Sequence, residues 1–293
     1  MIYISGKISL LIMSVLYASM GLMLVTRRDM AHRVKIFHGQ AYIDCAVDGD
    51  DNSNTCVSDF TVEKTFNFNA GYSFGASLLV SALMSFGQSF FHREHMYSTL
   101  SYVDSVIGTS LMTFSVAVVT GGQGMSTLIL MILNTTMYEI GIYLHDIGYW
   151  NGQAADTYNY RGRYILLVML NFITLGVNIA ALVEYWLISS IPAFIPLIGL
   201  TWFLHFIMMR FFTFRYFYGT LPGIIKKSRR EERSMFKDSG DDTGVTRFYV
   251  VNKEDEFVID WFDSWKGGIN LFFKLFVSIT FYVGTNTIKI TYK

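Results

Sequence analysis

Proline is almost missing from this chain. Its 293 residues include three, Pro192, Pro196 and Pro222, and two cysteines, Cys45 and Cys56. Charge is scarce as well: 16% of the residues are Asp, Glu, Lys or Arg, and the formal net charge is zero. Each shortage removes a class of protein. Secondary transporters built on inverted repeats break their helices with Gly and Pro at matching places in the two halves. Here all the prolines lie in the second half and no internal repeat is visible. A neutral chain with no basic-aromatic platform is not read as a nucleic-acid binder, and no metal site is read from it.

What the chain does have is apolar bulk. Hydrophobic residues make up 52% of it, with 25 Phe, 18 Tyr and 15 Met. Charge is sparse in repeated apolar runs of about 20 residues, the length a helix needs to cross a hydrocarbon core of roughly 30 Å. A helix satisfies its own backbone polar groups there. Seven such runs are read, at about 4–25, 71–91, 97–119, 124–147, 164–187, 192–218 and 264–285. The expectation is an all-α membrane protein, a single seven-transmembrane helix bundle over 1–293, with membrane lipid as its surroundings. The first run follows Lys7 without a small-residue cleavage site, so it is read as a retained helix, not a signal peptide.

The loops set the orientation. The segment 219–263 carries Lys226, Lys227, Arg229, Arg230, Arg233 and Lys237, and the shorter even-to-odd loops add Arg93, Arg161 and Arg163. The positive-inside rule places these in the cytoplasm, with the N-terminus inside and the C-terminus outside, the plasma membrane being the expected location. Loop 26–70 argues the other way through Arg27, Arg28, Arg33 and Lys35, yet it also holds seven acidic residues and both cysteines. Cys45 and Cys56 bracket a polar turn and read as a disulfide, which persists outside the cytosol. The flanks Tyr42-Ile-Asp-Cys and Phe60-Thr-Val-Glu-Lys-Thr-Phe-Asn-Phe alternate as strands do, so a small extracellular β-hairpin is expected in this loop.

Lys274 stands alone in the last apolar run, with about two turns of uncharged residues on either side. A cation in mid-membrane costs several kcal/mol unless paired, and such residues usually serve function. A lysine removed from water can shed its proton and attack an aldehyde to form a Schiff base. Its charged form needs a carboxylate nearby. Runs 3 and 7 point the same way, and Asp104 lies roughly 10 Å into one while Lys274 lies roughly 12 Å into the other. Asp104 is therefore the expected counterion. Ser101, Ser105, Gly108 and Ser115 give its helix a small, polar face, and Asn270 and Ser278 flank Lys274 one turn away on either side.

Other buried polar residues are read more modestly. Glu139 is flanked one turn away by Thr135 and Tyr143 and reads as a hydrogen-bonded carboxyl. Glu184 and Asp146 lie near span ends, and His205 and Arg210 read as core or snorkelling residues. The Asp/Glu-Arg-Tyr and Asn-Pro-x-x-Tyr motifs of eukaryotic hormone receptors are missing from the third and seventh runs.

A seven-helix chain with a lysine in helix 7 and a carboxylate on helix 3 resembles the microbial-type retinal proteins. Met137 and Gly141 match the Met-x-x-x-Gly spacing that lines the retinal ring in that superfamily, and Thr109 and Met112 fall where it places polyene contacts. Within it, the inverted topology, the long outer first loop, Tyr102-Val-Asp-Ser-Val-Ile-Gly-Thr-Ser and Asn134-Thr-Thr-Met-Tyr-Glu-Ile-Gly-Ile-Tyr-Leu-His-Asp are similar to the heliorhodopsins. The resemblance spans essentially the whole chain through loose motifs. It implies a photoreceptor, not an enzyme, with all-trans retinal on Lys274, Asp104 as counterion, and a pocket including Thr109, Met112, Met137, Gly141, Trp202 and Phe206.

The departures also count. The family carries Glu where Asp104 stands, and a histidine in each of helices 1 and 2, for which Ser85 is the stand-in. Asn270 replaces the second carboxylate of ion-pumping relatives, which argues against an outward proton pump. The divergence points to a viral or protist branch. A light sensor with a slow photocycle is the favoured expectation, with Lys226 to Thr243 as a surface for a cytoplasmic signalling partner. The alternative is a light-gated proton channel using Ser85, Glu139, Asn171, Asn178, Glu184 and His205. A third reading is a retinal-free scaffold in which Lys274 and Asp104 are a structural pair. A homodimer is expected from the exposed hairpin and small-residue helix faces.

Overall fold

The computed structural model describes residues 2–26, 33–47, 54–90, 100–120, 124–150, 162–169, 171–173, 176, 179–180, 183, 192–216 and 253–287. Their body is a helical bundle. Helix α1 (Ile2–Thr26) is followed by strands β1 (Arg33–Val47) and β2 (Asn54–Asn69), then α2 (Ala70–Phe90). After these come α3 (Leu100–Val119), α4 (Met125–Trp150), α5 (Gly162–Ile173), α6 (Phe194–Arg215) and α7 (Lys253–Thr287). Among the described residues, five stretches are long and apolar enough to cross a membrane: Lys7–Thr26, Ala70–Phe90, Leu100–Val119, Phe194–Arg215 and Trp265–Asn286. In α4 and α5 the apolar stretches, Leu128–Leu144 and Gly162–Ile173, are shorter. The chain is a multi-pass, predominantly helical membrane protein.

The helices pack in a ring. Helix α1 lies against α2 and α7, α2 against α3 and α7, α3 against α4 and α6, and α6 against α7. Helix α5 closes the gap: Leu167 touches Gly141 of α4, and the Tyr164 hydroxyl donates to the Arg210 carbonyl of α6 at 3.1 Å. Glycines permit the closest approaches. A Cβ on Gly75 would lie 2.5 Å from Val25 Cγ2 and 2.9 Å from the Gly21 carbonyl, so α1 and α2 meet backbone to backbone, as small residues allow in membranes. Large apolar side chains face outward from every helix, including Leu83, Leu130, Leu166, Phe211 and Phe272, and supply the lipid-facing surface.

Strands β1 and β2 pair antiparallel from Arg33↔Asn69 to Val47↔Asn54, with a shift between His38 and Gly39. The ribbon begins well before the alternating stretch at Tyr42 that the sequence marks. It packs on the ends of α2, α3 and α4 through buried Ile36 and a Phe68–Phe114 ring contact at 5.1 Å.

Helix α7 departs from expectation. It begins at Lys253 instead of near 264, so the final eleven residues of the expected loop 219–263 are helical. The rest of that loop, with Lys226 to Thr243, lies outside the described residues, as do residues 184–187 of the expected fifth run.

Candidate functional site

Helix α2 carries a serine at every fourth position: Ser73, Ser77, Ser81, Ser85 and Ser89, all buried. Residues four apart share a helix face, so α2 presents a column of hydroxyls toward α3 and α7. Near the middle, Ser81 Oγ donates to Asp104 Oδ1 at 2.6 Å. Lys274 of α7 reaches the same point. Its Nζ donates to Ser81 Oγ at 2.8 Å and lies 3.2 and 3.3 Å from the two Asp104 oxygens. The amine is wholly buried, 0% exposed, while the carboxylate retains 16%. Asp104, Ser81 and Lys274 thus form a closed triangle in which the cation has a single carboxylate partner among the described residues.

Local backbone makes room for it. From Asp104 to Thr109, α3 widens into a π-helical turn before resuming as an α-helix at Ser110. Such turns recur at functional sites, because the extra residue re-aims its neighbours. Gly108 lies inside this turn and faces the pair. A Cβ there would meet Asp104 Oδ1 at 2.5 Å, Lys274 Nζ at 3.0 Å and Ser81 Oγ at 3.1 Å. Ser77 Oγ donates to the Gly108 carbonyl at 2.6 Å, satisfying one carbonyl of the widened turn.

One turn away along α7, Asn270 Oδ1 lies 2.7 Å from His205 Nε2, so with the carbonyl accepting, that nitrogen carries the proton. The His205 ring stacks on Trp202 at 4.4 Å and lies 5.3 Å from Phe273, and Trp202 Nε1 donates to Thr113 Oγ1 at 3.2 Å. Buried Trp202 and Phe206 are therefore linked through His205 to Asn270 and Phe273 of α7, while Thr109 and Met112 are buried on α3 and Ser105 is buried beside Asp104 in sequence. Ser278 is also buried, with its hydroxyl unpartnered among the described residues.

A second buried ion pair bridges α4 and α6. Arg210 Nη1 lies 3.5 Å from Glu139 Oε1, Nη2 donates to Asn171 Oδ1 of α5 at 3.0 Å, and Cζ sits 3.4 Å from the Tyr138 ring centroid. Glu139 is the bonded carboxyl that the sequence suggests, but its partner is Arg210, which does not snorkel. The pairing is invisible in sequence because it joins residues on helices separated by a third.

Two pocket assignments need correction. Met137 is 65% exposed on the outer face of α4, so it does not line the interior. Each helical residue turns the side chain by about 100°, and the inward stripe here is Met131, Thr135, Tyr138 and Ile142. Gly141 is half-buried against Leu167 of α5 and marks a helix contact instead of a chamber wall. Ser85 is buried near Asp104, but the hydroxyl that bonds the pair is Ser81. The fourfold serine spacing could have singled it out. Glu184 and Asn178 lie outside the described residues. Cys45 and Cys56 are direct partners in the strand register, though their side chains are not among those described.

This geometry defines a class: a multi-pass helical bundle with a lysine amine buried at its centre against one carboxylate. The chain matches no protein-family model and no curated protein sequence.

Proposed function

We propose that this protein is a light-absorbing retinal protein of heliorhodopsin type, a sensor with all-trans retinal attached at Lys274. The observation that carries the reading is the fully buried Lys274 amine, 3.2 Å from Asp104 in an apolar bundle. The residues fit such a group. A primary amine out of contact with water is the attachment point, Met112, Trp202 and Phe206 offer apolar and aromatic wall, and Asp104 compensates a positive nitrogen. Retinal, when bound, supplies visible absorption and a bond that isomerises in light. The chain's own residues do the rest. Asp104 holds the negative charge, Ser81 fixes the orientation of that carboxylate, and Gly108 keeps the space between them open.

The proposed topology adds α4 and α5 to the five long spans to make seven, with the N-terminus cytoplasmic and the hairpin extracellular. Opposed residues in an antiparallel pair lie about 4.5–5.5 Å apart at Cα, within the range of a disulfide, which supports a Cys45–Cys56 bridge. Glu139, fixed by Arg210, is poorly placed to relay protons, and this favours the sensor over the channel. A second reading, a purely structural Lys274–Asp104 pair, draws support from the completeness of the amine's hydrogen bonding.

Expression with all-trans retinal separates the two. A visible band is expected in the wild type and not in Lys274→Ala, and Asp104→Asn should shift it. Folded wild-type protein without a band would leave the structural pair.

A further inference from the structure

His205 of α6 is 2% exposed and boxed in by three aromatic rings. Trp202 stacks on it nearly parallel, at 4.4 Å and 17°, and the Phe273 and Phe206 rings lie at 5.3 and 5.8 Å. With Nε2–H committed to the Asn270 carbonyl, Nδ1 is the bare, proton-accepting nitrogen of the neutral ring. That nitrogen is buried and meets no donor among the described residues. An unmet acceptor in an apolar wall is costly, and a ring placed there for packing alone could be Phe at no such cost.

The same surroundings suit the charged ring. The face of a Trp attracts a cation, and both nitrogens of a charged imidazole are donors, so a proton on Nδ1 leaves the bond to Asn270 intact. Two cations act on the ring, Lys274 of α7 and Arg210 of α6. Each faces a carboxylate, Asp104 of α3 and Glu139 of α4 respectively. The link to the first pair is short: Asn270, which bonds His205, lies one turn from Lys274 on the same face of α7. Asp104 balances one buried cation, and a second would stand uncompensated in the core.

We propose that His205 is a second seat for the positive charge that balances Asp104, empty while the Lys274 nitrogen is charged and filled when it is not. In that exchange an N–H bond breaks at the Lys274 nitrogen, and one forms at His205 Nδ1 on its free electron pair. The Asp104 carboxylate stays ionised and the net charge of the core does not change. Asn270 is the positioning residue, since its bond to Nε2 keeps Nδ1 as the accepting nitrogen. The link to light rests on the retinal reading; the exclusion between the two cations does not.

The test is solid-state NMR of the retinal-free protein in lipid, labelled with nitrogen-15 histidine, at one mildly acidic pH. Comparison with His205→Gln identifies the ring among the six histidines. The wild-type ring should be neutral and protonated at Nε2. Lys274→Met removes the competing cation, and the charged fraction of His205 should rise about tenfold. Adding Asp104→Asn removes the charge to be balanced and should return the ring to neutral. Should Lys274→Met not fold, Lys274→Gln carries the same comparison. A ring already charged in the wild type, one that stays neutral without Lys274, or one that stays charged after Asp104→Asn is added overturns the proposal. No chromophore is present, so failure here leaves the retinal reading standing, and absence of a visible band leaves this result standing.

Discussion

The Lys274–Asp104 and Arg210–Glu139 pairs are both buried between helices, yet they are built for different ends. Arg210 is held on several sides at once, by Glu139, by Asn171 and by the face of Tyr138. Its planar guanidinium fork suits a fixed, many-partnered site. Lys274 has one carboxylate and one hydroxyl, a glycine beside it, a widened turn of helix behind that glycine, and a cavity at the carboxylate. A lysine amine, unlike a guanidinium, belongs to the side chains that serve as nucleophiles. One pair clamps α4, α5 and α6 together; the other sets a lone amine and carboxylate beside a glycine and a cavity.

Removing one partner from each pair probes that contrast most strongly. Arg210→Met leaves Glu139 buried and unpaired and should cost about 3–5 kcal/mol, most of it recovered by adding Glu139→Leu. Lys274→Met should cost less, roughly 1–3 kcal/mol, because the Asp104 carboxylate is 16% exposed and borders a small polar cavity that can admit water. Thermal unfolding in detergent measures both, and equal losses would erase the distinction.

The glycines sharpen it next. Gly108→Ala drives a methyl into Asp104 and Lys274 and should cost about 1–3 kcal/mol, with a shift of any visible band. Gly141→Ala meets only the end of Leu167, at 2.7 Å, which can swing aside, so its effect should be smaller and spectrally silent.

The serines give the smallest effect. Ser81→Ala removes the hydroxyl between amine and carboxylate and should cost about 1 kcal/mol. Ser85→Ala, facing the cavity, should be nearly neutral in the same melting experiment.

Much of the Lys274–Asp104 pair is legible in the sequence, because a lone charge in an apolar run has few explanations. Asp104 and Lys274 could be matched by depth on parallel helices. The clamp was hidden: Arg210 and Glu139 look unremarkable on their own helices, and only packing joins them. Met137 failed for a geometric reason, since a motif fixes spacing along a helix but not the rotation of that helix about its axis. Ser81 was overlooked although its column is periodic, because each serine taken singly is ordinary in a membrane helix. The early start of α7 was masked by charge, which reads as loop by hydropathy yet suits the first turn of a helix.

That early start has a mechanical consequence. From Lys253 to Lys274 the unbroken helix measures about 31 Å, and residues 253–264 precede the apolar span that opens at Trp265. A rod of that length turns small rotations into large displacements. Tilting it by about 10° at Lys274 sweeps its tip through roughly 5 Å, more than the diameter of a water molecule. A small tilt at Lys274 is therefore delivered, by the length of the helix alone, as a larger movement at its Lys253 end.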